Sequence, residues 1–162
     1  MRKPIRTTPA LPTVFVFLLY AAAGANAGEE ASVKRATGSF EVTLAPLETS
    51  NEAADAKIGR MSIDKTFTGD LDATGRGEML SGGSPAEGSA GYVAIERVTG
   101  ILGGRNGSFL LQHSATMTPE SRVLDIQVIP GSGTGELEGL TGTMSIEIEA
   151  GDHRYVLEYS IR

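Results

Sequence analysis

The chain contains no cysteine and no tryptophan. Without cysteine there is no disulfide staple, no thiol nucleophile and no lipid-modified cysteine of the bacterial lipoprotein kind, so an apolar core must hold the fold by itself. Histidine is scarce: His113 and His153 are the only two, and no His-x-x-x-His spacing exists, so no metal site is expected. No Gly-x-Ser-x-Gly elbow occurs, and the glycine-rich stretches 100–107 and 131–135 lack the Gly-Lys-Ser/Thr ending of a phosphate loop. No cofactor is expected on these grounds. Long apolar runs are missing too, since the only candidate, Val14 to Ala23, is about half the length that a membrane-spanning helix needs, roughly 20 residues.

That run is instead the centre of a secretory signal. Arg2, Lys3 and Arg6 precede it and the small-residue site Ala25-Asn26-Ala27 follows it, which places cleavage before Gly28 and the mature protein in the periplasm or the extracellular space. Residues 1–27 carry three of the 14 cations and none of the 20 acids, so the mature chain has a net charge of −9. A polyanion binder needs clustered Lys and Arg to neutralise phosphates, and none is present, so nucleic acid is excluded as a partner. The acidity suits an exported domain that stays in solution, with no membrane insertion of the mature chain. The organisation expected is a signal peptide at 1–27, a flexible segment at 28–36 and one domain at 37–162.

Glycine is abundant, 21 in all, and falls among alternating apolar residues. Period-two alternation places strands around Phe40 to Leu44, Met61 to Phe67, Tyr92 to Val98, Phe109 to Met117, Met144 to Ile148 and Tyr155 to Ile161. Leu124 to Val128 adds a seventh strand and Leu71 to Leu80 a weaker eighth. No helical period competes. Asn106-Gly107 and Gly151-Asp152 are expected as two-residue hairpin turns, residues 81–88 and 48–57 as loops, and the recurrent Thr-Gly dipeptides as bends or bulges. About eight antiparallel strands in one small all-β domain predict closure into an eight-stranded antiparallel β-barrel, because open edges invite aggregation. Such a barrel is filled by side chains or holds one small ligand.

Lipocalin and avidin barrels rely on tryptophan near the start or in the ligand pocket, so its absence sets them aside. The segments Asp64-Lys65-Thr66-Phe67-Thr68-Gly69-Asp70-Leu71, Gly77-Glu78-Met79-Leu80, Gly88 to Glu96 and Gly104 to Phe109, with Gln112-His113 and Gly131 to Gly135, resemble a bacterial domain-of-unknown-function family of small barrels related in fold to plant allene oxide cyclase. The resemblance runs from about Thr37 to Ile161. It implies an allene-oxide-cyclase-like barrel and assigns no reaction.

Four polar residues stand in or beside apolar rows and are the candidate ligand-binding residues: Lys65, Tyr92, Glu96 and His113. Lys65 shares its row with Met61, Ile63 and Phe67, and His113 shares its row with Phe109, Leu111, Ala115 and Met117, so His113 is either a core histidine hydrogen-bonded to a neighbour or a pocket acid/base or ligand contact. A buried lysine is costly unless paired, so Lys65 either reaches the barrel mouth or meets a carboxylate. Glu96 is the candidate carboxylate, but strand 91–98 is apolar on both faces, so either Glu96 or Arg97 can face the lumen. Glu78 is expected to pair on the surface with Arg76. The function expected is the binding of a small, largely apolar molecule in the lumen or mouth. A cyclase or isomerase with a moulded apolar cavity is the alternative, and a homo-oligomer joined through Tyr155, Leu157 and Tyr159 is a third.

Overall fold

The computed structural model describes residues 32–49, 57–84 and 87–162. The expected signal peptide, the start of the lead-in segment and the middle of the 48–57 loop lie outside the described residues. Nine strands follow in order: β1 (Lys34–Leu47), β2 (Ile58–Gly69), β3 (Leu71–Ser84), β4 (Ser89–Leu102), β5 (Arg105–Met117), β6 (Arg122–Val128), β7 (Thr134–Gly135), β8 (Leu140–Glu149) and β9 (Asp152–Ile161). β1 begins at Lys34, which pairs with Tyr159 of β9. There is no helix among the described residues that is long and apolar enough to cross a membrane.

Consecutive strands pair antiparallel from β1 through β6, β6 pairs with β8, β8 with β9, and β9 returns to β1, so eight strands close on themselves. β7, absent from the sequence expectation, is a two-residue strand outside the barrel that pairs with Gly107 and Ser108 of β5. Leu71 to Leu80, the weakest strand in the sequence, belongs to one of the longest, because β3 runs its whole length beside β4.

The hairpin turns correct two expectations. The β4–β5 turn is Gly103-Gly104, with φ of +55° and +82°, closed by the pair Leu102 and Arg105, so Asn106 and Gly107 lie inside β5. Two consecutive glycines supply the positive φ that a tight hairpin demands. The last turn is Ala150-Gly151, one residue earlier than Gly151-Asp152, and Asp152 opens β9 opposite Glu149. On the outer surface Glu78 pairs across strands with Arg60 at 2.6 Å, not with Arg76, whose nearest carboxylate is Asp64 at 3.8 Å.

The lumen is packed at one end. Phe67, Leu71, Val98, Leu102, Phe109, Leu140, Tyr155 and Leu157 fill it, and Leu137, on the connection between β7 and β8, tucks against them. Each such side chain stabilises the fold by roughly 1.5–3 kcal/mol through removal from water. The Tyr155 hydroxyl ties this end together: it accepts a hydrogen bond from the Leu71 N–H at 2.9 Å and lies 3.2 Å and 3.3 Å from the carbonyls of Thr37 and Thr68. Tyr155, Leu157 and Tyr159 are therefore interior residues, which overturns their expected role as an assembly patch. Apolar residues that do face outward include Leu80 on β3 and, on β4, Val93, Ile95 and Ile101. They explain why strand 91–98 looks apolar on both faces.

Candidate functional site

Above the packed end the lumen opens into a cup of about 350 Å³, with walls drawn from all eight barrel strands. Phe40, Val42, Leu44, Ile63, Met79, Met117, Leu124, Ile146 and Ile148 supply an apolar lining. A wider polar furrow of about 790 Å³ is lined by residues of β2, β1 and β9, Ser39, Glu41, Thr66, Thr68 and Arg154 among them, and it includes none of Lys65, Tyr92, Glu96 and His113.

Alternation along the strands decides what reaches the lumen. On β4 the inward row is Ala94, Glu96 and Val98, so Glu96 is fully buried and Arg97 faces out, where it donates a hydrogen bond to Ser108 Oγ at 3.1 Å. Register then brings three strands to one point. Lys65 on β2 lies opposite Gly75 of β3, and Glu96 on β4 lies opposite Gly77 of β3. Two glycines in the inward row of β3 leave no side chain between β2 and β4, so Lys65 and Glu96 meet across it. Lys65 Nζ donates to Glu96 Oε2 at 2.7 Å, and His113 on β5 places Nε2 3.1 Å from the same oxygen.

All three side chains are more than nine-tenths buried. Lys65 Nζ also lies 4.9 Å from the Phe40 ring centre and 5.6 Å from that of Phe67, contacts that hold a desolvated ammonium by attraction to the ring faces. Burial alone pushes the Glu96 carboxyl up, but the hydrogen bond from His113 and the charge and hydrogen bond of Lys65 outweigh it and hold the group below its ordinary range. Glu96 is thus a carboxylate at neutral pH. Since a carboxylate only accepts, the His113 Nε2 carries the hydrogen, and Nδ1 is the ring's free lone pair in the neutral form. No described residue bonds Nδ1. Glu96 Oε1 is buried with no hydrogen-bond partner among the described residues and faces the gap over Gly75, where a Cβ would collide with it.

Tyr92, the fourth candidate, lines the same cup without hydrogen-bonding the other three. Burial raises its hydroxyl pKa, the Arg122 charge works against that rise, and the Glu96 charge adds to it. Four further residues of the site escape sequence reasoning. Phe40 and Phe67 read as ordinary core; Gly75 reads as a bend; His153, forty residues from His113 in sequence, lines the same cup and packs on Phe40 with ring centres 5.0 Å apart. The signal that was available is Gly75 and Gly77 in one inward row with Leu71, Ala73 and Met79, which marks a groove between two facing strands.

No curated protein matches the sequence. The fold does match a solved structure, the crystal structure of a protein with unknown function from the DUF3224 family from Shewanella oneidensis MR-1. The two are 47% identical with a TM-score of 0.76, covering 81% of this chain and 98% of that one. The family model for DUF3224, described as a protein of unknown function, matches residues 36–159, which spans the barrel from within β1 to within β9. The chain belongs to the DUF3224 family.

Proposed function

We propose that the protein binds a small, largely apolar molecule in the open end of its barrel, with a polar atom of the ligand turned down toward Lys65 and His113. One observation carries this reading: an apolar cup of about 350 Å³ whose floor is a buried Lys65–Glu96–His113 cluster, in a barrel whose other end is packed with side chains. A few convergent polar groups at the bottom of an apolar concavity are the usual form of a small-molecule site. Stability alone is a weak reason for such a cluster, because a buried ion pair replaced as a whole by apolar residues of similar volume is often neutral or stabilising.

The test is native mass spectrometry of protein exported and recovered gently, beside its denatured mass. A reproducible excess mass that is lost on denaturation is the expected result. A bare mass, together with no chemical-shift change at the Met79, Met117 and Ile146 methyls on addition of apolar small molecules, would remove the reading.

A further inference from the structure

We propose that the cup is catalytic, and that it isomerises neutral β,γ-unsaturated ketones to their conjugated isomers by proton transfer through His113. The proposal rests on the cavity reading above and adds a substrate class and a reaction to it.

The substrate class follows from charge. Lys65 brings one positive charge to the floor and Glu96 one negative charge, so the buried cluster is balanced before any ligand enters. A carboxylate or phosphate head would add a second anion beside Glu96 in a site with little water to screen it. A neutral carbonyl oxygen brings no such charge and accepts one of the two Lys65 N–H donors that Glu96 leaves free.

The reaction follows from the hydrogen-bond order. Glu96 Oε2 holds His113 by Nε2, which fixes the tautomer and leaves Nδ1 as a base on the wall of the cup. Lys65 is tied to that same carboxylate oxygen, so the base and the electrophile stand on either side of one anchor. With the ketone oxygen on Lys65 Nζ, His113 Nδ1 removes a proton from the carbon between the carbonyl and the double bond. The C–H electron pair becomes the new C=C of a dienolate and the carbonyl π pair moves to oxygen, where Lys65 stabilises it. The negative charge on oxygen and the positive charge on the His113 ring arise together, so the cluster with its ligand stays neutral. His113 then returns the proton to the γ carbon, the oxygen lone pair re-forms the carbonyl, and the double bond lies in conjugation. No co-reactant enters and the enzyme is restored. His113 and Lys65 are the catalytic residues; Glu96 is a positioning residue that acts through both.

The probe is cyclohex-3-en-1-one, followed by the rise of conjugated-enone absorbance, with binding of the same ketone measured separately by saturation-transfer NMR on the full mature chain. Wild-type protein is expected to bind and isomerise it. His113→Gln keeps an N–H for Glu96 but removes the base, and is expected to bind the ketone and lose about 100-fold or more in rate. Glu96→Gln is expected to lower kcat with KM little changed. Lys65→Met is expected to lose ketone binding and turnover; should it fail to fold, exchange of the α protons of cyclohexanone in D2O, catalysed by wild type and abolished in His113→Gln, reads the same proton transfer without it. Ketone binding with no isomerisation and no α-proton exchange, or a His113→Gln variant as fast as wild type, overturns the proposal and leaves the cavity reading standing. No ketone binding together with a bare native mass overturns both.

Discussion

Burying Lys65 without Glu96, or Glu96 without Lys65, leaves an uncompensated charge in the lumen, whereas removing both leaves none. Lys65→Met is therefore expected to cost about 3–5 kcal/mol of unfolding free energy, and Lys65→Met combined with Glu96→Leu to recover most of that loss, as measured by urea denaturation at neutral pH. The same carboxylate sets an acid limit. Its pKa in the folded protein lies below the ordinary value of 4.5, so the unfolded chain binds the proton more readily than the folded one. The stability contributed by the Glu96 carboxylate is fully present above about pH 4.5 and is lost as pH falls through the lower folded value. Wild type is accordingly expected to lose stability more steeply than Glu96→Gln below pH 4.5, with the gap between them narrowing as pH falls. Equal slopes would mean that Glu96 titrates alike in both states. The sequence made the pairing of these residues legible as a question, because a lysine in an apolar row needs a partner. Which residue of the pair Glu96 and Arg97 faced inward was not legible, since Val93 and Ile95 make the outer face of β4 as apolar as the inner one.

At the level of strands, alternation located all eight barrel strands, and the misplacements fell at their ends. Asn106-Gly107 is a strong local hairpin signal, yet Gly103-Gly104 satisfies the same backbone demand and keeps the inward row of β5 in step with β4. Periodicity also says nothing about how well neighbours are joined. β3 and β4 stay in register from Leu71–Leu102 to Ser84–Ser89, while β6 and β8 share the single registered pair Gln127 with Thr143. The seam between β6 and β8 is thus the weakest closure of the barrel. Hydrogen exchange is expected to be slowest along β3 and β4, and the amides of β8 that face β6 are expected to exchange well before those of β4, because local opening follows the weakest ladder. Uniform protection around the barrel would show that side-chain packing across this seam replaces the missing bonds.

The molecule as a whole divides into a packed end and an open end, and that division could not be read from hydrophobic pattern, because Leu140 and Ile148 of one strand look alike in sequence. Leu140 is fully buried against Leu137 and the Tyr155 end of the lumen, whereas Ile148 is 57% exposed at the rim of the cup. Only closure of the barrel and the taper of its contents separate them. If the two ends do different work, their variants should fail in different ways. Leu140→Ala leaves a cavity in the packed end and is expected to cost about 2–5 kcal/mol, yet the protein that remains folded should still bind cyclohexenone in the saturation-transfer measurement. Ala90 is half-buried on the cup wall, so Ala90→Trp is expected to fill the space a ligand needs at a cost of about 1–3 kcal/mol of unfolding free energy. Loss of the ketone signal in Ala90→Trp with its survival in Leu140→Ala would assign stability to one end and binding to the other. Loss of the signal in both would mean that the packed end holds the Lys65–Glu96–His113 floor in place, and that the barrel works as one rigid unit.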